Sequence, residues 1–201
     1  RWKALHYMAK KFYAPILISG IENNDDATVE IHITSDKLKN IMGQVNWQLR
    51  DVSGQLILEN SFETEIAAAG NHQVRTLELQ DYVNQYGARD LMLWLELEVD
   101  GEIVADNFVS FARPKHMQLE EPEIKTEIKR LEAGKYWLRL SAAKTALWTW
   151  LELKDRDLKL SDNFFHLYPG REMEVIAEID QDLRVEEFEK QLIVRSLIDT
   201  Y

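Results

Sequence analysis

Trp148-Thr149-Trp150-Leu151-Glu152-Leu153, Lys154-Asp155-Arg156-Asp157, Leu158-Lys159-Leu160-Ser161-Asp162-Asn163-Phe164-Phe165-His166-Leu167-Tyr168 and Pro169-Gly170-Arg171 form the continuous stretch whose reading decides the fold. Its apolar residues recur largely at every second position, the period of a half-buried strand and not of a helix. It reads as strand, tight turn, strand and a closing Pro-Gly turn. The same pattern occurs upstream. Trp94-Leu95-Glu96-Leu97 returns as Trp150-Leu151-Glu152-Leu153, and Asp106-Asn107-Phe108 returns as Asp162-Asn163-Phe164. In both copies the aspartate follows the tryptophan by twelve positions. Identical motifs at identical separation predict one β-hairpin design used once in each half of the chain.

Working outward from the upstream copy, Leu91, Leu93, Leu95, Leu97 and Val99 form an inward row. Asp100-Gly101 then gives the two-residue hairpin signal, because both central residues of that turn need positive φ. Glu102 to Phe111 returns. Earlier, Ile16 to Ile21, Thr28 to Thr34, Val45 to Leu49, Gln55 to Phe62 and His72 to Leu79 read as strands, and Tyr82 to Tyr86 as a helical turn. Trp47 has the inward phase and is expected between two sheets. Short strands punctuated by turn residues predict a β-sandwich. After a polar stretch bracketed by Pro114 and Pro122 the style repeats. Ile124 to Leu131 and Lys135 to Ser141 read as a hairpin, followed by strands at Leu147 to Leu153, Leu158 to Tyr168 and Met173 to Ile179. A short helix at Val185 to Lys190 and a last strand at Leu192 to Leu197 follow.

At the other end the period is helical. Trp2, Leu5, Ala9 and Phe12 share a face opposite Arg1, Lys3, Lys10 and Lys11, and Pro15 stops the helix. This face is expected to pack on the next domain. The predicted fold is therefore all-β: two tandem immunoglobulin-like β-sandwiches preceded by a short N-terminal α-helix. The expected boundaries are 1–14 for the helix, 15–113 for the first sandwich, 114–122 for a linker and 123–201 for the second, C-terminal sandwich.

The chain of 201 residues has a net charge of −11, which opposes nucleic acid because phosphates dominate that affinity. The charge is uneven: residues 1–13 carry four cations and no acid. No apolar run approaches the ~20 residues of a membrane-spanning helix, so no membrane partner is expected. There is no cysteine and no Asn-x-Ser/Thr sequon, which favours a bacterial periplasm or cytoplasm over a glycosylated eukaryotic secretory compartment. The start at Arg1, in the middle of a helical pattern without a capping residue, reads as part of something longer.

Catalytic motifs fail on context. Ser141-Ala142-Ala143-Lys144 and Ser161-Asp162-Asn163 spell two thirds of a serine β-lactamase signature. Here the first falls between predicted strands, and the Lys-Thr-Gly element is missing. His6, His32, His72, His116 and His166 show no zinc spacing, so no metal and no cofactor is expected. Aromatics are more informative. By strand alternation Trp137, Trp148 and Trp150 point away from their own core, as does Trp94, and exposed large aromatics mark interfaces. Trp137, Trp148 and Trp150 are candidates either for stacking on sugar rings or for docking on a neighbouring domain.

Arg1-Trp2-Lys3-Ala4-Leu5-His6-Tyr7, followed by Lys11-Phe12-Tyr13-Ala14-Pro15, resembles the end of the catalytic barrel in β-mannosidases of glycoside hydrolase family two. In that family the barrel continues into two immunoglobulin-like sandwiches. The last carries a segment similar to Trp150-Leu151-Glu152-Leu153, Ser161-Asp162-Asn163-Phe164-Phe165 and Pro169-Gly170. The resemblance spans the chain from end to end. It implies a parent that hydrolyses terminal β-mannosides with retention, through two glutamates about 5 to 5.5 Å apart on the barrel. No residue here matches either glutamate. The chain is therefore expected to be inactive by itself. Its expected role is to brace the barrel of the same polypeptide, shape the sugar-site rim or mediate homo-oligomer contacts. The alternatives are a carbohydrate-binding module for β-mannosides or manno-oligosaccharides, and a free-standing interaction module.

Overall fold

A computed structural model of the chain describes residues 2–23 and 25–200. Arg1, placed by sequence on the polar side of the opening helix, lies outside these residues, as do Asn24 and Tyr201. Contacts divide the chain into two compact units: one is Lys11–Gln118, and the other is Leu119–Tyr201 together with Arg1–Lys10. Helix α1 (Ala4–Phe12) ends ahead of Pro15.

The first sandwich contains β1 (Ile16–Asn23), β2 (Thr28–Ser35), β3 (Ile41–Asp51), β4 (Leu56–Ile66), β5 (Gly70–Glu78), helix α2 (Gln80–Tyr86), β6 (Leu91–Val99) and β7 (Glu102–Ser110). A three-stranded sheet, β1-β2-β5, faces a four-stranded sheet, β4-β3-β6-β7. Alternation decides what lies between them. Val29, Ile31 and Ile33 come from one sheet, and Val45, Trp47, Leu49 and the Leu91–Leu97 row from the other. All join one buried cluster. The β6–β7 hairpin closes on Asp100 (φ +54) and Gly101 (φ +82), the left-handed pair that the Asp-Gly signal predicts.

The second sandwich contains β8 (Lys125–Glu132), β9 (Lys135–Ser141), β10 (Ala146–Leu153), β11 (Lys159–Leu160), β12 (Phe165–Leu167), β13 (Met173–Glu178), helix α3 (Val185–Gln191) and β14 (Leu192–Arg195). Its sheets are β12-β10-β14 and β11-β13-β9-β8. Tyr136 on β9 is fully buried, stacks on Phe188 of α3 at 4.2 Å, and uses its hydroxyl twice. The hydroxyl donates to the Leu183 carbonyl (2.6 Å) and accepts from the Leu183 N–H (2.8 Å), tying the segment before α3 to the sheet.

Three expectations are corrected. Leu158 to Tyr168 is not one strand. Leu160 pairs with Ala177 in one sheet, while Phe165 pairs with Thr149 in the other. Between them Phe164 takes φ +62, and the side chain of Asn163 replaces a ladder rung by bonding both backbone groups of Leu151. The second copy of the twin motif is therefore a sheet-crossing excursion and not a simple hairpin. Next, Trp94 does not face solvent. It is 3% exposed and packs on Phe108 at 4.8 Å, and its neighbour Met92 is buried too. Strand β6 is buried on both faces, as the unbroken apolar run Leu91-Met92-Leu93-Trp94-Leu95 should have signalled. Finally, the residue of α1 that enters a core is Tyr7. Of the expected face, Trp2, Leu5 and Phe12 are exposed.

Candidate functional site

The three candidate tryptophans do not form one surface. Trp137 lies on β9, in the sheet opposite Trp148 and Trp150 on β10. It is engaged where it stands. Its indole N–H donates to Glu174 (3.0 Å), and the Lys129 ammonium and Arg139 guanidinium lie 4.7 and 4.9 Å from its ring centroids. Such a lattice uses the aromatic face as a cation platform, leaving little of it for a sugar.

Trp148 sits at a β-bulge between Ala146 and Thr149, with φ +47. A bulky side chain adopts this conformation only where its surroundings hold it. His166 does part of this. Its Nδ1 accepts from the Trp148 N–H (3.1 Å), and its ring meets the indole edge-on at 5.2 Å.

Trp150 keeps the company of the N-terminal segment. Its ring stacks on Phe164 at 6.2 Å and 12°, Phe164 meets Tyr7 at 6.0 Å, and Tyr7 meets Trp2 at 5.6 Å. Tyr7, only 2% exposed, belongs to the core of the second sandwich. Burial pushes its phenol pKa up. The hydrogen bond from the Leu160 backbone works against this shift, and the Asp162 charge adds to it. Lys10 Nζ donates to the Ser161 carbonyl (3.2 Å). The Leu160–Phe164 crossing, built from the residues that spell Ser-Asp-Asn-Phe, is thus the receptor for α1. Sequence reasoning singled out this stretch but read it as one strand, and it missed Tyr7. A tyrosine off the apolar helical stripe carries no signal that it enters a core.

Between α1 and β10 lies a cleft of 320 Å³, lined by Trp2, Lys3, Tyr7, Trp150, Glu152 and Phe164 and completed by Leu151, Leu158 and Asn163. Glu152 is held by Arg195 Nη1 at 2.9 Å. Asn163 is committed to the backbone: its Oδ1 accepts from Leu151 N–H (2.8 Å) and its Nδ2 donates to Leu151 C=O (3.1 Å).

Among the described residues no group of three or more His, Asp or Glu is placed to hold a metal ion, and no helix is long and apolar enough to cross a membrane. Ser141 ends a strand, and Lys144 is paired with Glu120 at 2.5 Å, so the β-lactamase-like spelling has no counterpart in geometry.

Two seven-stranded sandwiches, each with a three- and a four-stranded sheet around one apolar core, define a tandem immunoglobulin-like protein. Residues 27–116 match the Mannosidase Ig/CBM-like domain family, and residues 119–200 match the Ig-fold domain family of mannosidases. The chain belongs to the immunoglobulin-like C-terminal region of the glycoside hydrolase family two β-mannosidases. It is 26% identical to β-mannosidase A of Neosartorya fischeri and 27% identical to that of Emericella nidulans, each over 99% of this chain. It spans 23% of the length of each of these relatives, so in them the matching region is part of a much longer polypeptide. In fold it is similar to the β-D-mannosidase of Dictyoglomus thermophilum, with a TM-score of 0.80 and 19% identity over 98% of this chain and 23% of that one. It is also similar to the exo-chitosanase of Amycolatopsis orientalis, with a TM-score of 0.61 and 12% identity over 95% of this chain and 26% of that one.

Proposed function

We propose that these two sandwiches, 15–113 and 123–201, are the non-catalytic accessory part of a β-mannosidase whose barrel hydrolyses terminal β-mannosides with retention. In this reading α1 is the last helix of that barrel, and the second sandwich holds it. The observation that carries the reading is the two-sided character of α1. Tyr7 anchors it in the second core, yet Leu5 stays 70% exposed and Phe12 61% exposed. A short helix with apolar side chains on both its anchored and its outward side is built to be covered on both.

The reading is tested in two arms. The chain alone, given a nitrophenyl β-mannoside, is expected to show no turnover above buffer. In the full-length enzyme, Leu5→Asp is expected to lower the melting temperature and the activity together, because a charge is forced into the covered side of the helix. Turnover by the chain alone overturns the non-catalytic role. An unchanged full-length enzyme carrying Leu5→Asp overturns the docking role.

A further inference from the structure

The cleft between α1 and β10 has a chemistry that docking does not require. We propose that the cleft lined by Trp2, Tyr7, Trp150 and Phe164, with Lys3 and Glu152 among its walls, binds a single hexopyranose ring. A pyranose has an apolar C–H face and a rim of hydroxyls, each both donor and acceptor. The cleft offers the complement of both. Its aromatic wall is continuous: Trp150 lies nearly parallel to Phe164 (12°), Phe164 meets Tyr7, and Tyr7 meets Trp2 at 58°. Its polar groups include both kinds. Lys3 is donor-only and Glu152 acceptor-only, and the Arg195 guanidinium at 2.9 Å fixes the Glu152 carboxylate in place.

Size and charge narrow the occupant. A volume of 320 Å³ is at the low end of the ~300–1,000 Å³ typical of small-molecule sites, enough for one ring and too little for a docked helix. A nucleobase would also stack, but the chain's net charge of −11 opposes its phosphate. The charged pair among the lining residues disfavours an acyl chain. The site differs from the expected three-tryptophan platform, because it excludes Trp137 and draws half of its aromatic wall from the N-terminal segment. It stands on its own geometry and does not depend on the accessory role proposed above.

The probe is methyl β-mannopyranoside, with the corresponding glucoside and galactoside beside it, titrated into the 201-residue chain. Tryptophan fluorescence and saturation-transfer NMR report binding. One stacked ring with few hydrogen bonds predicts saturation with a Kd on the order of 1 mM. Trp150→Ala is expected to weaken binding at least tenfold, Trp150→Phe to retain it, and Trp137→Ala to leave it unchanged. Lys3→Ala, on an exposed residue, should weaken binding several-fold, so the idea stays testable if Trp150→Ala misfolds. No saturable response to any of the three glycosides up to about 50 mM overturns the proposal. So does a response that survives both Trp150→Ala and Lys3→Ala, which would place the ligand elsewhere.

Discussion

Asn163→Ala should be among the most damaging single substitutions of a polar side chain in the second sandwich. Asn163 is 6% exposed, and its carboxamide satisfies both backbone groups of Leu151, which is itself buried. Alanine removes both partners at once and is too small to replace either. A buried backbone donor or acceptor left unpaired costs about 1–3 kcal/mol. Allowing for some water entry, the two together should cost about 3 kcal/mol. In a domain of this size each kcal/mol corresponds to ~4–8 °C, so the melting transition of the second sandwich should fall by roughly 12–24 °C. Asn107→Ala is the matched comparison. Asn107 makes one such bond, accepting from the Gly20 N–H at 3.0 Å, and its loss should cost only about 1 kcal/mol. Urea and thermal denaturation followed by circular dichroism and tryptophan emission measure both. A loss under about 1 kcal/mol for Asn163→Ala, or equal losses for the two variants, refutes the rung-replacement account.

Asn163→Asp sharpens the same test. Aspartate keeps an acceptor for the Leu151 N–H but turns its other oxygen toward the Leu151 carbonyl. Ionised, it is buried and repelled; protonated, it can donate to that carbonyl. Its folded-state pKa should therefore rise above the unfolded value near ~3.9. A group raised on folding contributes stability that is fully present below its unfolded pKa and is lost as pH rises through the folded one. The variant should lie closer to the parent in stability at about pH 4 than at about pH 7. An equal deficit at both pH values would show that the Nδ2–carbonyl bond is not what matters.

Three further outcomes are expected. Tyr136→Phe keeps the stack on Phe188 but strands both Leu183 backbone groups, and should cost about 2–3 kcal/mol by urea denaturation. Asp182 accepts from Gly134 N–H (3.0 Å) and pairs with Arg130, and these contacts, the Gly134 bond first, hold its carboxyl below the usual range. Its contribution is present above the unfolded pKa and is lost as pH falls through the folded one, so Asp182→Asn should flatten the acid limb of the stability curve. Tyr7→Ala should free α1 from the second sandwich: hydrogen exchange at Ala4–Phe12 should speed up while the β10 amides stay protected.

Most of the fold was legible because strand alternation is a local signal. Val29, Ile31 and Ile33, the Leu91–Leu97 row, and Tyr136, Leu138 and Leu140 are buried in the predicted phase. The Asp100-Gly101 turn was legible because few dipeptides accept two positive φ values. What failed was non-local. A helix pattern gives a face but not the surface that takes it, and α1 gave up Tyr7 to a core more than a hundred residues away in sequence. The candidate site was half legible. Alternation put Trp137 and Trp150 on outer faces, but not whether a cation lattice or an open cleft would meet them.

The twin motif shows how one sequence pattern can serve two topologies. The copies lie 56 positions apart, and the cross-strand pairs Trp94–Phe108 and Leu95–Asn107 in the first correspond to Trp150–Phe164 and Leu151–Asn163 in the second. Both copies bring the tryptophan onto the phenylalanine and use the asparagine carboxamide to bind a backbone N–H. In the first copy the ladder runs in register across the motif, from Met92 to Leu97, and shifts only beyond it, so the Asn107 side chain can cross to Gly20 on β1 of the facing sheet. There a Cβ would collide with Val109, so the close approach itself requires glycine. In the second copy Leu160 has already been spent on pairing with Ala177 in the opposite sheet. The chain must cross back, and beyond the Thr149–Phe165 pair β12 offers no backbone to Leu151, whose other side meets Val194 of β14, so the asparagine side chain supplies the missing donor and acceptor. The same crossing then presents Ser161 and Phe164 to Lys10 and Tyr7. A side chain with one donor and one acceptor end on a short stem can do this; an apolar residue or an ionised aspartate cannot. The motif therefore specifies a register between two strands, and the residues between its halves decide whether that register closes a hairpin or opens the receptor for α1.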